Sequence, residues 1–497
     1  MFTSLIDALA SQSETIGNKL FIVDQTKKNE KKQTYGEFKR SVIRVANQFN
    51  ALGLGLGDRG VIISENSMEY LQAHFGIIAA GGISVPVEPD VSILTLKKII
   101  DDCSPKLLIT SEKVYTWLKE AVDQYRFPKF VLSESCGTPS HKGTFDFRPD
   151  TNDIAAVMYT TGTTGNPKGV IIRHKNLLET QSNIFQFLNY SDDDREVITL
   201  PITHSFGLGH IYSNLLSGGF VILHDGLTKI GRVFKSISTY QATGFPTTPM
   251  GVSLLLDRYE RVFCEAASSL RFMVVNSAPL SPYLTKRMQM ALPKNQIYVY
   301  YGLTEASRST FINLSEKGEK FYQSVGKPFK NVKIRLDKSS DSEFGEILIR
   351  GPHVTSGYWN NDQLTKKEII GGWLRTHDIG SIDEYGYLYI KGRLNDTINV
   401  GGYKFHPNEV EVLLKELPGV KDVVLQKFDG DLNTQYRLIA FIEKEPKVQI
   451  SLPDVTRHCR KKLEHYKIPK EIQFVNQFPR SSTGKIKRGE INCYITD

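Results

Sequence analysis

The amino-acid sequence predicts an α/β protein with mostly parallel sheets, followed by a smaller α+β unit at its C-terminal end. Short apolar runs alternate with helical patterns through most of the chain, and glycine-bounded runs replace them from about Phe344. A compact segment of about a hundred residues then follows Asp396. Strands that are separated by helices form parallel sheets covered on both faces.

The alternating pattern is clearest near the N-terminus. The apolar run Gly60–Ser64 predicts a strand, the stretch from Glu69 to Ile78 has helical spacing, and Ile83–Val87 predicts the next strand. Three further apolar runs predict buried strands, at Lys106–Thr110, Ile154–Tyr159 and Phe272–Asn276.

The later part of the chain predicts antiparallel strands and then a separate unit. Gly345–Gly351 and Gly386–Gly392 are short strands bounded by glycine, as in hairpins. The polar run Leu394–Asp396 suits a hinge between domains, although it could merely close a hairpin. The elements predicted beyond it are a strand at Thr397–Val400, a helix at Pro407–Lys415, strands at Val420–Lys427 and Tyr436–Glu443, and a helix at Pro453–Leu463.

Composition limits the class of protein. The 497 residues are 40% hydrophobic and 23% charged, which excludes a mainly disordered, collagen-like or coiled-coil chain. The net charge of +8 is mild and does not indicate a nucleic-acid partner. Residues 451–497 have a net charge of +5, which indicates either a solvated basic surface or a surface that binds phosphates.

The cysteines and the N-terminus bear on location. The five cysteines form no CxxC pair, so we expect neither a disulfide framework nor a zinc site. We therefore expect the protein to be in a reducing compartment. The first residues lack the basic and apolar regions of a signal peptide. The longest mostly apolar stretch, Phe75–Val87, is too short to span a bilayer. We therefore expect a soluble, cytoplasmic protein with no integral membrane segment.

A loop rich in glycine and threonine carries the strongest local signal. Tyr159–Val170 reads YTTGTTGNPKGV and follows a predicted buried strand. Glycine lets backbone N–H groups face an anion, threonine adds hydroxyl donors and lysine adds a charge, so the composition predicts a polyphosphate site. The spacing differs from a Walker A motif, and a flexible surface loop is the alternative. The candidate ligands are Thr160, Thr161, Gly162, Thr163, Thr164 and Lys168.

Four further motifs follow the glycine- and threonine-rich loop. They are YGLTE at Tyr301–Glu305, WLRTHD at Trp373–Asp378, GRLNDTI at Gly392–Ile398 and PRSSTGK at Pro479–Lys485. With these five motifs in order, the chain resembles the acyl-adenylating superfamily of acyl-CoA ligases, nonribosomal peptide synthetase adenylation domains and firefly luciferases. The resemblance extends over essentially the whole chain and is strongest to a free-standing acid–CoA ligase.

The resemblance implies a fold of two domains joined by a hinge. Residues 1–393 are expected to form a large adenylation core of stacked, mostly parallel sheets with helices and a small β-barrel-like subdomain. Residues 394–396 are the expected hinge, and residues 397–497 are the expected small, mobile α+β domain.

The reaction implied by the resemblance has two steps. The carboxylate of a small-molecule acid attacks the α-phosphate of ATP, which gives acyl-AMP and pyrophosphate, and the thiol of CoA then displaces AMP. Both steps move anionic oxygens, so cations, hydrogen-bond donors and Mg²⁺ are expected at the site. The cofactors implied are ATP, Mg²⁺ and CoA.

The same resemblance assigns catalytic roles. Lys485 is expected to reach both the carboxylate and the α-phosphate, Glu305 to bind Mg²⁺, and Thr304 to bind the α-phosphate. His204 resembles a residue that lies beside the carboxylate and gates the pantetheine tunnel, although a lone histidine is more often a satisfied polar residue.

Other positions resemble the nucleotide and CoA ligands. Tyr301, next to Gly302, is expected to stack on adenine, while Asp378 and Arg393 are expected to bind the ribose. The expected contacts to adenine and the acyl group are Asn276, Ser277, Ala278 and Pro279. The residues expected along pantetheine are Gly401 and Gly402.

Three residues depart from the pattern. His377 stands where the family has glycine, which is costly if that position needs a positive φ. Asn276 stands where many members have glycine, and it should narrow or polarise the acyl pocket. Arg308 either points at the acyl end of the site or forms a buried ion pair within the sheet.

Two other functions remain open from the sequence. A free-standing enzyme of this kind could load its acyl group onto the phosphopantetheine of a carrier protein instead of CoA. A non-catalytic nucleotide-binding regulator is the other alternative, but the presence of Lys485, Glu305, Asp378 and Arg393 argues against it.

Overall fold

The computed structural model describes residues 2–132, 145–161, 166–338, 342–396, 398–400, 403–429, 436–445, 448, 450–481 and 484–494. Within them the chain forms a large mixed sheet, a second six-stranded sheet and a small C-terminal unit with its own sheets. The α/β fold class predicted from the sequence is confirmed, including the smaller α+β unit at the C-terminal end.

Strands and helices alternate through the first three hundred residues. The helices are α1 (Leu5–Thr15), α2 (Tyr35–Ala51), α3 (Met68–Ala79), α4 (Ile93–Cys103), α5 (Glu112–Val122), α6 (His174–Leu188), α7 (Ser205–Ser217), α8 (Ile230–Tyr240), α9 (Pro249–Arg258), α10 (Glu260–Ala266) and α11 (Pro282–Ala291). The strands are β1 (Leu20–Asp24), β2 (Lys31–Thr34), β3 (Arg59–Ile63), β4 (Ile83–Val87), β5 (Leu107–Ser111), β6 (Lys129–Leu132), β7 (Ile154–Thr161), β8 (Pro167–Arg173), β9 (Arg195–Ile198), β10 (Phe220–Leu223), β11 (Gly244–Thr247), β12 (Phe272–Val275) and β13 (Gln296–Leu303).

Strands dominate the remainder of the chain. They are β14 (Ala306–Asn313), β15 (Ser324–Pro328), β16 (Lys333–Asp337), β17 (Gly345–Arg350), β18 (Ile369–Ile370), β19 (Trp373–Ile382), β20 (Leu388–Arg393), β21 (Ile398–Val400), β22 (Tyr403–Phe405), β23 (Val420–Asp429), β24 (Tyr436–Lys444) and β25 (Glu471–Val475). The helices are α12 (Asp362–Glu368), α13 (Pro407–Leu414) and α14 (Leu452–Lys462).

The two large sheets differ in the proportion of parallel and antiparallel strand pairs. The six-stranded sheet has the order β6-β5-β3-β4-β7-β8 and is parallel except for the β7–β8 hairpin. In the larger sheet, β1 and β9 to β13 are parallel to one another. The β-barrel-like subdomain expected from the sequence is represented by β15, β20, β19, β17 and β16, an antiparallel group that continues this sheet.

Helices α3 and α7 lie in a continuous apolar core that includes residues of both sheets. Every residue of α3 is buried, and His74 on this helix lies between the hydroxyls of Ser84 (2.8 Å) and Tyr212 (2.7 Å). Burial lowers the pKa of His74 to about 3, so its ring is neutral at pH 7. This packing holds the N-terminal end of α7, where one of the candidate site residues lies, against the rest of the domain.

The C-terminal unit is built on β23, β24 and β25, with α13 and α14 in the same apolar cluster. Its last loop approaches the large domain at Gly484, where an added Cβ would lie 2.9 Å from the Cε atom of Met250. Among the described residues, no helix combines the length and apolar character needed to cross a membrane.

Candidate active site

The turn between β13 and β14 presents the first two candidate residues. Leu303 pairs with Ala306, so Thr304 and Glu305 form the two-residue turn of a tight hairpin. The Glu305 carboxylate accepts a hydrogen bond from the Tyr358 hydroxyl at 3.1 Å. Partial burial raises the pKa of Glu305, while Tyr358, Arg393 and Lys168 favour its charged form.

A buried carboxylate joins two neighbouring strands of the antiparallel group. Asp378 on β19 pairs with Arg393 on β20, and the Arg393 Nε atom lies 2.8 Å from Oδ1 of Asp378. The Tyr301 hydroxyl donates to the other carboxylate oxygen at 2.5 Å. Burial raises the pKa of Asp378 in spite of the neighbouring Arg393. A carboxylate has about four acceptor positions, so it can still accept from a ligand hydroxyl.

His377 adopts the left-handed backbone conformation that glycine favours, with φ = +56°. The sequence left open whether this position needs a positive φ, and the structure shows that it has one, at a cost of about 1–2 kcal/mol for a residue other than glycine. Its Nε2 atom lies 2.6 Å from a carboxylate oxygen of Glu368, and its backbone N–H donates to Glu346. These contacts offset the strain, so Asp378 keeps its place next to a residue larger than glycine.

Lys485 lies on a loop that ion pairs attach to the small domain. Arg480 contacts Asp422 at 2.9 Å and Glu443 at 2.8 Å, and it also donates to the carbonyl oxygen of Gly484. Gly484 has φ = +80°. The loop therefore makes a sharp turn directly before Lys485, on a rigidly anchored base.

Lys485 is exposed, and its ammonium group is close enough to Asp378 and Arg393 to interact electrostatically with both. Partial desolvation and the repulsion of Arg393 lower its pKa, while Asp378 and Asp396 act in the opposite direction. The structure therefore brings a residue of the small domain next to the site on the large domain. The sequence placed these residues in one site although more than a hundred residues separate Lys485 from Asp378.

The segment predicted as a long phosphate loop is mostly a hairpin. Thr160 lies on β7 and pairs with Lys168 on β8, so the connecting turn is shorter than the twelve-residue motif suggests. Lys168 is close enough to Glu305 to stabilise its charged form. Gly162, Thr163 and Thr164 lie outside the described residues, as does the side chain of Thr161.

His204 lies directly before α7, and a carboxylate holds its ring. Its Nε2 atom lies 2.6 Å from Oε1 of Glu88, which also accepts a hydrogen bond from the Thr203 hydroxyl. Glu88 follows β4 at the carboxyl end of a parallel strand, where α/β proteins place binding residues. The sequence analysis missed Glu88, and its position directly after a buried strand could have identified it.

The segment after β12 brings small and polar residues to the same edge of the large sheet. Asn276 interacts with the hydroxyl of buried Tyr300, and Ser277 has φ = +82°. Ala278 and Pro279 are exposed. Asn276 therefore contributes a polar group at this edge, and its partner Tyr300 is a residue that the sequence analysis did not select.

Arg308 on β14 is buried, with 2% of its surface exposed. The alternative of a buried ion pair is wrong for the described part of the chain, where no carboxylate oxygen lies within 4.0 Å of its guanidinium nitrogens. The guanidinium donates instead to the carbonyl oxygens of Ser205 and Phe206, both at 3.2 Å. Arg308 therefore packs against the first residues of α7, the helix that begins directly after His204.

The charged side chains gathered here are suited to a phosphate ester and to a divalent cation bound to that ester. Lys168, Arg393 and Lys485 supply positive charge, and Asp378 and Glu305 supply carboxylates. Within the described residues no group of three or more His, Cys, Asp or Glu side chains could hold a metal ion by itself. A cation here would depend on Glu305 together with oxygens of the ligand, which is how Mg²⁺ is usually held beside phosphates. Gly401 and Gly402 lie outside the described residues.

Comparison with known proteins identifies two family profiles along the chain. A profile described as AMP-binding enzyme matches residues 9–359, and a profile described as AMP-binding enzyme C-terminal domain matches residues 409–485. The first match alone covers more than half of the 497 residues.

Curated relatives match over nearly their whole length. A feruloyl-CoA synthase from Amycolatopsis sp is 29% identical over 473 residues, which is 92% of this chain and 93% of the relative. A 2-succinylbenzoate–CoA ligase from Bacillus cereus is 28% identical over 474 residues, or 94% of this chain and 95% of the relative.

Solved structures of similar proteins share the fold. ATP-bound MatB from Rhodopseudomonas palustris superimposes with a TM-score of 0.88 at 25% identity and covers 98% of both chains. The O-succinylbenzoate coenzyme A synthetase MenE from Bacillus subtilis, in complex with ATP and a magnesium ion, gives a TM-score of 0.87 at 23% identity. That match covers 98% of this chain and 99% of the other.

Proposed function

The chain belongs to the AMP-binding enzyme family, and on that premise we propose that it is an AMP-forming acid–CoA ligase. It activates a small-molecule carboxylic acid with ATP, releases pyrophosphate, and transfers the acyl group to the thiol of CoA. The observation that carries this proposal is that Lys485 of the C-terminal unit and Glu305 on the β13–β14 turn both interact with the Asp378–Arg393 pair, Glu305 through Arg393.

The nucleotide is bound between the antiparallel group and the β13–β14 hairpin. Asp378 accepts hydrogen bonds from the ribose, and Arg393 holds this carboxylate in position at 2.8 Å. Tyr301 is fixed beside them through its hydroxyl, which leaves its ring as a surface for adenine. Lys168 on β8 adds charge on the phosphate side of Glu305.

Adenylation depends on the cation that the small domain brings to the site. Lys485 balances the negative charge of the carboxylate and of the α-phosphate as these two groups approach each other. Thr304 donates to the phosphate from the tip of the hairpin, and Glu305 would hold a magnesium ion, which would supply positive charge beside the phosphates.

The second step needs a different face of the small domain. His204, held by Glu88, lies beside the acid carboxylate and controls access for the thiol. We place the hinge at residues 394–396, between an adenylation core at 1–393 and a mobile domain at 397–497, and Gly401 and Gly402 along pantetheine. Cytoplasmic location, where ATP and CoA are present, is part of the same proposal.

The test is acid-dependent exchange of labelled pyrophosphate into ATP, measured with a panel of aliphatic, aryl and amino acids. An AMP-forming ligase exchanges label only in the presence of an acid that fits its pocket, and it forms a thioester only when CoA is added as well. If no acid in the panel supports exchange by folded protein that binds AMP, the proposed function is wrong.

CoA is the acceptor that the relatives support, since both relatives described above are named for CoA ligation. A carrier protein bearing phosphopantetheine serves as the comparison in the same assay. Transfer to the carrier but not to CoA would keep adenylation and replace the acceptor.

A further inference from the structure

Arg308 is a buried charge at the acyl side of the site. It lies three residues after Glu305, and its guanidinium donates to the carbonyl oxygens of Ser205 and Phe206 at the start of α7. Ser205 directly follows His204, so the guanidinium contacts the backbone of the residue next to the one that we place beside the reacting carboxylate. Its Cζ atom also lies 5.2 Å from the centre of the Tyr300 ring, and Tyr300 interacts with Asn276.

Two local features make room for this side chain. Arg308 has φ = +57°, a left-handed conformation that is unfavourable for a residue with a Cβ atom. Gly209 lies inside α7, where glycine weakens a helix, and an added Cβ there would lie 2.3 Å from a guanidinium nitrogen. The fold therefore accepts strain at one position and a weak helix residue at another, and both hold the guanidinium where it is.

No carboxylate oxygen of the described residues lies at ion-pair distance, within 4.0 Å, of the Arg308 guanidinium. Its three hydrogen bonds to Ser205, Phe206 and Ser307 satisfy donors but bring no negative charge, and the first turn of a helix is itself electropositive. A buried charge without a counter-charge is unfavourable, and a guanidinium has five N–H donors, so it can still bind an anion.

A second buried polar group lies beside it. His210 follows Gly209 on α7, and its Nδ1 atom lies 3.1 Å from a carboxylate oxygen of Glu196. Its Nε2 atom is buried and has no hydrogen-bond partner within the described residues. The Nε2 atom of His210, close to Arg308, can therefore form a hydrogen bond with a polar group of a ligand.

We propose that Arg308 binds a second carboxylate of the acid substrate, so that the enzyme activates short dicarboxylic acids. This proposal rests on the proposed ligase function and specifies its substrate class. One carboxylate lies beside His204 and Lys485 and reacts, while the other pairs with the guanidinium. Because the guanidinium contacts the residue next to His204, the proposal favours a short spacer between the two carboxylates.

The experiment compares dicarboxylic acids of two to eight carbon atoms with their monomethyl esters, which have the same chain and one charge fewer. Acid-dependent pyrophosphate exchange gives kcat/KM for each compound. We expect the best diacid to exceed its own ester by about 10²-fold or more, the usual effect of a buried charge pair that loses one partner. In Arg308→Met the diacid should lose about 10²-fold while its ester changes less than threefold.

Control variants separate charge from folding. Arg335→Met makes the same change at an exposed position on β16 and should alter neither substrate. Arg308→Lys keeps the charge and should keep the preference for diacids. If Arg308→Met does not fold, the wild-type ratio of diacid to ester decides the question.

The outcomes distinguish this proposal from the function on which it rests. Equal use of diacids and esters, exchange only with acids of other classes, or equal loss of both substrates in Arg308→Met would overturn the role of Arg308 and leave the ligase function intact. Failure of every acid would refute the ligase function itself.

Discussion

Replacing Lys485 with alanine should separate the two half-reactions. The lysine side chain makes no hydrogen bond to another described residue and reaches solvent, so its loss should change the free energy of unfolding by less than about 0.5 kcal/mol. Its ammonium group is the cation that the small domain brings to the Asp378–Arg393 pair. Loss of one such group in a transition state lowers the rate by about 10²–10³-fold, or about 2.7–4 kcal/mol.

The assay measures pyrophosphate exchange and, separately, acyl-CoA formation from supplied acyl-AMP. We expect the first to fall by the stated factor and the second to change much less, because the thiol step uses another face of the small domain. Lys487→Ala is the matched control, since this lysine is two residues away, is exposed, and forms a surface ion pair with Glu490 at 3.3 Å. Equal loss in both half-reactions, or equal loss in the control, would refute the assignment of Lys485.

Three other substitutions test the remaining parts of the site. Glu305→Gln should weaken Mg²⁺-dependent use of ATP about tenfold or more while AMP binding, measured by calorimetry, is preserved, because a neutral amide is a poorer ligand for a hard cation. A parallel loss of AMP affinity would instead make Glu305 a structural residue. Glu88→Gln should lower kcat about tenfold by releasing His204, and a double-mutant cycle should show no added effect in a His204→Ala background; additive effects would contradict the coupling. Asp396→Pro should spare pyrophosphate exchange and suppress acyl-CoA release, because proline fixes φ near −65° at the proposed hinge; parallel loss of both activities at an unchanged melting temperature would contradict that placement.

Much of the fold was predictable because burial imposes simple patterns on the sequence. Helix α3 and strands β3 and β4 lie within one or two residues of their predicted ranges, since the strands are short apolar runs and the helix has apolar residues at helical spacing. The β7–β8 hairpin was harder to predict. Its glycines and threonines suggested one long loop, yet strand pairing extends through Thr160 and Lys168 on both sides of the turn.

The sequence predicted the site residues that belong to recognisable motifs. It did not predict conformations and surroundings that depend on contacts with residues distant in the chain. Asp378, Arg393 and Lys485 come from separate motifs, and the structure brings them together as the resemblance implies. By contrast, the left-handed conformation of His377 depends on Glu346 and Glu368, and the surroundings of Arg308 depend on a glycine about a hundred residues earlier. No local pattern in the sequence specifies such partners.

The central claim is that a carboxylate oxygen of the acid attacks the α-phosphate of ATP, and an isotope measurement tests it most directly. An accepted acid labelled with ¹⁸O in both carboxylate oxygens is converted to acyl-CoA with ATP and CoA, and the AMP is analysed by mass spectrometry. If acyl-AMP forms, displacement by the thiol leaves one ¹⁸O atom in AMP and the other in the acyl carbonyl. Unlabelled AMP, or ¹⁸O in inorganic phosphate, would contradict the account.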